Sequence, residues 1–141
     1  MLYSSQVQQP TSITPLSSKI RNNYRYFPYF EDCIRALDGT HIAAHIPLPL
    51  QPRYRNRKQF ISQNILACCD IDMRFTFILA GWEGSVHDQR VLQDARYNHG
   101  LELPPGKFYL GDAGYSSSSL VMVPYRGVRY YLKEQRQANQ K

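Results

Sequence analysis

Apolar side chains recur along this chain in short runs rather than in one long stripe. Residues 34–46 read Ile-Arg-Ala-Leu-Asp-Gly-Thr-His-Ile-Ala-Ala-His-Ile, an apolar stretch broken by one acid and two histidines, and they predict a strand region over 32–46. On a strand, Leu37, Gly39 and His41 point one way, and Ala36, Asp38, Thr40 and Ile42 the other. Residues 60–69 predict a second strand and the β-branched and aromatic run 74–80 a third, joined by a turn at 70–73 into a hairpin. Ser85 followed three residues later by Asp88 matches a capping box, and Val91, Leu92 and Ala95 supply the apolar stripe of the helix it would start. Lys107 to Leu110 predicts a short strand leading to Asp112, with further short apolar pieces at 120–124 and 130–132. Pro47, Pro49 and Pro52 break any regular element after the first strand. Tyr24 to Phe30 is densely aromatic and is expected to pack as an arm on the core. Residues 1–23, rich in Ser, Gln, Thr and Pro, read as a flexible or extended lead-in, and residues 135–141 as a polar tail.

Composition narrows the partners. A chain of 141 residues that is 43% hydrophobic suits one folded domain rather than a disordered segment. Lys and Arg number 17 against 11 acids, a formal net charge of +6, which favours an anionic partner and nucleic acid first. Cys33, Cys68 and Cys69 form neither a disulfide framework nor a metal-finger spacing, and they read as small core residues of an intracellular protein. No apolar run approaches the length of a membrane span, and no signal peptide is recognisable.

Candidate chemistry centres on two acids. Asp38 shares its strand face with small and apolar side chains, where an ionised carboxylate needs a cation, hydrogen bonds or a shifted pKa. Asp-Gly between apolar runs is equally the signature of a tight hairpin turn, so the residues alone leave both readings open. Asp112 stands in a similar setting between Gly111 and Ala113. Two strand-borne carboxylates suit a hard divalent cation, Mg²⁺ or Mn²⁺, and such ions support phosphodiester cleavage. Asp70 and Asp72 read as turn-closing acids. His87 and Asp88 form an attractive pair, although a helix start already explains the acid. Arg53, Arg55, Arg57 and Lys58, interleaved with Tyr54, suit a phosphate backbone with a base stacked on the ring; an ordinary solvated loop is the competing reading.

Five motifs occur in one order: Ala36-Leu37-Asp38-Gly39-Thr40-His41, Tyr54-Arg55-Asn56-Arg57-Lys58, Gly81-Trp82-Glu83-Gly84-Ser85-Val86-His87-Asp88, Tyr109-Leu110-Gly111-Asp112-Ala113-Gly114-Tyr115 and Val123-Pro124-Tyr125-Arg126-Gly127. From about Tyr26 to Glu134 the chain resembles the nuclease domain of PIF/Harbinger-type transposases and their domesticated relatives, the DDE superfamily endonucleases. The resemblance implies an α/β, ribonuclease H-like fold: a mixed sheet opening with three antiparallel strands and flanked by helices, over a partial endonuclease domain at 24–134. It matches Asp38 and Asp112 to the first two catalytic acids. Asp88 matches a recurring acid and is a rival for the second metal position, with His41 and His87 in supporting places. It also implies Mg²⁺ or Mn²⁺ as cofactor, DNA as partner, a nuclear location, and room for a separate DNA-binding partner protein. Family members continue into a helix carrying a third acid, which nothing here matches; Glu134, the only acid after Asp112, lies in a stretch placed before that helix. The helical DNA-binding region that usually precedes the nuclease domain is not matched either. The expectation is therefore a truncated, catalytically incomplete metal-dependent DNA endonuclease domain. The alternative is a non-catalytic remnant that binds DNA or protein.

Overall fold

The computed structural model describes residues 7–125 apart from Ser12, together with Gly127. The apolar piece at 130–132, Glu134 and the polar tail lie outside the described residues. Five strands form one sheet in the order β3-β2-β1-β4-β5: β1 Cys33–Ala43, β2 Ser62–Cys69, β3 Phe75–Glu83, β4 Phe108–Leu110 and β5 Val121–Met122. The first three run antiparallel, while β4 and β5 join the other edge of β1 in parallel. This is the α/β mixed sheet expected of a ribonuclease H-like domain.

Side-chain alternation decides which face is core. In β2, Ser62, Asn64, Leu66 and Cys68 are buried while their neighbours are half-buried. Register pairs Leu37 with Cys68, Gly39 with Leu66 and His41 with Asn64, so these residues share that face. Among the described residues, the one helix longer than a single turn is Asp88–Asn98, and it covers this face with Val91, Leu92 and Ala95. Val91 and Leu92 are all but fully buried among Leu37, Leu66, Phe77, Tyr109 and Tyr115. Two shorter helices, Ser18–Arg21 and Gln51–Tyr54, precede it; in chain order the three are α1, α2 and α3. The thiol of Cys68, buried in this core, is pushed up to about 12 by burial, as expected of a packing cysteine. The turn acids do what the sequence suggests: Asp70 Oδ1 accepts from the backbone N–H groups of Asp72 and Arg74, both at 2.9 Å.

Three local expectations are corrected. Ser85 does not cap α3: the helix begins at Asp88 with His87 before it, and no side chain caps its first turn. Ser85 instead donates its N–H to the carbonyl of Arg53, docking its loop on α2. The prolines do not exclude regular structure, because Leu48–Leu50 forms a 3₁₀ turn that runs into α2, with proline among the first two residues of each. The aromatic arm does not pack: Tyr24 is 82% exposed and Tyr29 74%. Its backbone bonds close locally, Tyr26 to Asn23 and Phe30 to Tyr26, so the segment turns on itself. Burial passes to Ile20 in α1, and Gln9 holds Gly100 O and Glu102 N through its side-chain amide.

Candidate metal and DNA site

Topology brings the acids to one place. Ala36 pairs with Leu110 where β4 ends, and Asp38 and Asp112 each stand two residues farther on. Beyond that pair, β4 no longer covers the edge of β1, and Asp112 sits in the turn beside it. Gly114 N–H donates to Asp112 Oδ1 at 2.8 Å, and Ser116 N–H donates to Gln89 Oε1, which ties the turn to α3. Asp38 Oδ1 accepts from the N–H of Gly39 at 2.8 Å. Partial burial holds the Asp38 carboxyl above its ordinary value; the charges of Asp112 and Asp88 push the same way, while the Gly39 bond opposes them.

Asp88 approaches from the α3 side. A Cβ on Gly39 would come within 2.5 Å of the Asp88 Cγ, so only glycine at 39 lets that carboxylate close on β1. Asn64, fully buried, donates its amide to Asp88 Oδ1 at 2.8 Å and to Val86 O at 2.9 Å. Its own Oδ1 is without a hydrogen-bond partner among the described residues. Tyr115, also fully buried, has its phenol raised well beyond the usual range by burial first, then by Asp88, Asp38 and Asp112. All three acids therefore bear on one ring.

Beside them opens a cleft of about 440 Å³, lined among others by Gly39, His41, Arg57, Lys58, His87, Asp88 and Gly114. Arg57 and Lys58 ride on a turn fixed by Asn56, whose Oδ1 accepts from the N–H groups of Lys58 (2.9 Å) and Phe60 (3.3 Å). The Arg57 guanidinium reaches the ring of His87, with Nη2 2.9 Å from Nε2. Arg53 and Arg55 are spent elsewhere, Arg53 on Glu83 at 2.5 Å and Arg55 on Gln59 O at 3.0 Å. Tyr54 is half-buried outside the cleft, its carbonyl close against Gly84. The structure thus divides the basic segment: Arg57 and Lys58 face the site, Arg53 and Arg55 brace its frame.

A hard cation fits the donor chemistry. Asp38, within β1, and Asp112, just past the end of β4, offer oxygen ligands, and Mg²⁺ is commonly held by one or two carboxylates plus substrate phosphates and water. Among the described residues, no three His, Cys, Asp or Glu side chains are gathered tightly enough to hold one ion by themselves. Asn56, Ser62 and Asn64 are residues that sequence reasoning passed over. The available signal was two polar residues, Ser62 and Asn64, in register with Leu66 and Cys68 on one face of an otherwise apolar strand.

The family model described as DDE superfamily endonuclease matches residues 37–141. An ALP1-like protein of Arabidopsis thaliana is 26% identical over 126 residues, covering 77% of this chain and 31% of that protein. The HARBI1 proteins, designated nucleases, are 31% identical over 93 residues in Rattus norvegicus (64% of this chain, 27% of that one) and over 90 residues in Homo sapiens (62% and 26%). The chain thus spans less than a third of the length of these relatives. No solved structure matches it. With a matching family model over most of its length, the chain belongs to the DDE superfamily endonucleases.

Proposed function

We propose that this chain is the DNA-engaging part of a divalent-metal-dependent, transposase-derived endonuclease, with Asp38 and Asp112 holding the cation. The observation that carries this reading is the strand register: Asp38 within β1 and Asp112 just past β4 each stand two residues beyond the Ala36–Leu110 pair, close to a cleft lined by Arg57, Lys58 and Asp88. Bound there, Mg²⁺ or Mn²⁺ would supply activation of water and stabilisation of the leaving oxygen. The protein's own part is to seat the strand. Arg57 and Lys58 draw a phosphodiester into the cleft, while the turn from Asp112 to Ser116 and the start of α3 hold the acids against β1. Asp88, on the Gly39 side, is the rival for the second metal position.

The same geometry supports weak cutting by these residues alone. Two carboxylates position a cation less firmly than three, and a misplacement of about 1 Å can cost roughly a hundredfold in rate. DNA binding without efficient cleavage is the second reading, since Arg57 and Lys58 line the cleft whether or not a cation is held there. Nicking of supercoiled plasmid in Mn²⁺, with Asp38→Ala as control, tests the two together. Slow nicking lost in the control is expected. Binding with no nicking selects the second reading, and neither binding nor nicking rejects both.

A further inference from the structure

His41 stands in the cleft at the end of a buried chain of hydrogen bonds that begins in the basic turn. Asn56 is 4% exposed, and its orientation is fixed because its Oδ1 takes two backbone N–H groups, from Lys58 and Phe60. Its Nδ2 therefore faces Ser62 and donates to Oγ at 3.0 Å. Ser62 is fully buried, and its Oγ lies 3.0 Å from Nδ1 of His41. A serine that accepts from an amide still has one proton to place, and His41 Nδ1 is the acceptor within reach. The imidazole then carries its own hydrogen on Nε2, on the ring edge away from Ser62. Gly84 completes the enclosure, since a Cβ there would come within 2.5 Å of Ser62 O and Oγ.

We infer that Asn56 and Ser62 are positioning residues that present the Nε2–H of His41, together with Arg57 and Lys58, to one phosphodiester group of a DNA backbone. The inference rests on the DNA-binding reading above. A single residue, Asn56, sets both halves of the site: it shapes the turn that carries the two cations, and through Ser62 it selects the tautomer that makes His41 a donor. The pocket is thereby formed before DNA arrives, which lowers the ordering cost of binding.

The test is fluorescence anisotropy with a labelled 20-base-pair duplex in EDTA, so that no metal contributes. His41→Ala should lower affinity roughly tenfold, the scale of one hydrogen bond to a charged group. Ser62→Ala should lower it by a similar factor, and the double variant should be no worse than His41→Ala alone, because Ser62 acts through His41. His41→Gln, which restores an N–H at the far edge, should recover part of the loss. An unchanged affinity in His41→Ala, or losses that multiply in the double variant, would overturn the inference. If Ser62→Ala does not fold, the surface pair His41→Ala and His41→Gln decides alone. Arg57→Ala and Lys58→Ala separate the two levels. If they weaken binding while the His41 variants do not, only this inference falls; if they too leave it unchanged, the DNA reading falls with it.

Discussion

At the scale of single residues, the site depends on where small side chains stand. Gly39→Ala would drive a methyl into the Asp88 carboxylate that Asn64 holds. Overpacking of this kind typically costs about 1–3 kcal/mol, and thermal unfolding should show it. The basic segment makes a sharper prediction. Arg57→Ala and Lys58→Ala should each weaken DNA binding and flatten its salt dependence by roughly one unit of slope. Arg53→Ala and Arg55→Ala should leave the slope almost unchanged, because their guanidinium groups are engaged with Glu83 and Gln59. A titration of affinity against salt distinguishes the pairs, and equal effects from all four would contradict the division. Asp38 adds a pH signature. Its carboxyl is raised above 3.8, so the folded state retains a proton that the unfolded chain has already lost. Its ionisation therefore removes stability as pH rises through that window, and protons compete with any cation at a pH above the ordinary carboxylate value.

At the scale of elements, the sheet rests on the contact between α3 and β2. Leu92 is 1% exposed in that core, and Leu92→Ala should destabilise by about 2–5 kcal/mol in chemical denaturation. A second tie links α3 to β3: Trp82 Nε1 donates to Asp94 Oδ2 at 3.1 Å. Asn98, Trp82 and His99 hold the Asp94 carboxyl below its ordinary 3.8. That contribution is complete above 3.8 and is lost as pH falls through the lower folded value, so the emission of Trp82, the chain's single tryptophan, should shift only in that acid range. The hairpin of β2 and β3 was legible because periodicity and turn chemistry agreed, with Asp70 closing the turn. The start of α3 was not. Ser85 and Asp88 have capping-box spacing, yet the Ser85 N–H is taken by Arg53, a contact between segments that no local pattern encodes. The aromatic arm failed for a related reason: hydrophobicity shows what could be buried, and the turns after Asn23 set Tyr26 edge-on to Phe30 while Tyr24 and Tyr29 stay exposed.

At the scale of the whole molecule, β1 is the axis. It pairs antiparallel on one edge and parallel on the other, and where the parallel partner stops, Asp38, Asp88 and Asp112 come to bear on the same ground. The acids could be suspected from sequence because carboxylates in apolar runs demand an explanation. The buried amides and hydroxyl that orient the cleft were fainter: Ser62 and Asn64 share the alternation of Leu66 and Cys68 in the sequence, but only strand register sets Asn64 opposite His41. Net charge pointed to an anionic partner, and the fold sets two of the cations, Arg57 and Lys58, in the cleft that Asp88 also lines. The central claim is that carboxylates and phosphate jointly hold a cation here. It is tested most directly by DNA affinity with and without Mg²⁺ at constant ionic strength, in the wild-type chain and in Asp38→Asn. Without Mg²⁺ the variant should bind DNA more tightly, having lost a charge that repels phosphate. With Mg²⁺ the wild-type chain should gain affinity, the variant should not, and their order should reverse. Mg²⁺ that weakens both chains alike, acting only as a competing counterion, would contradict the account.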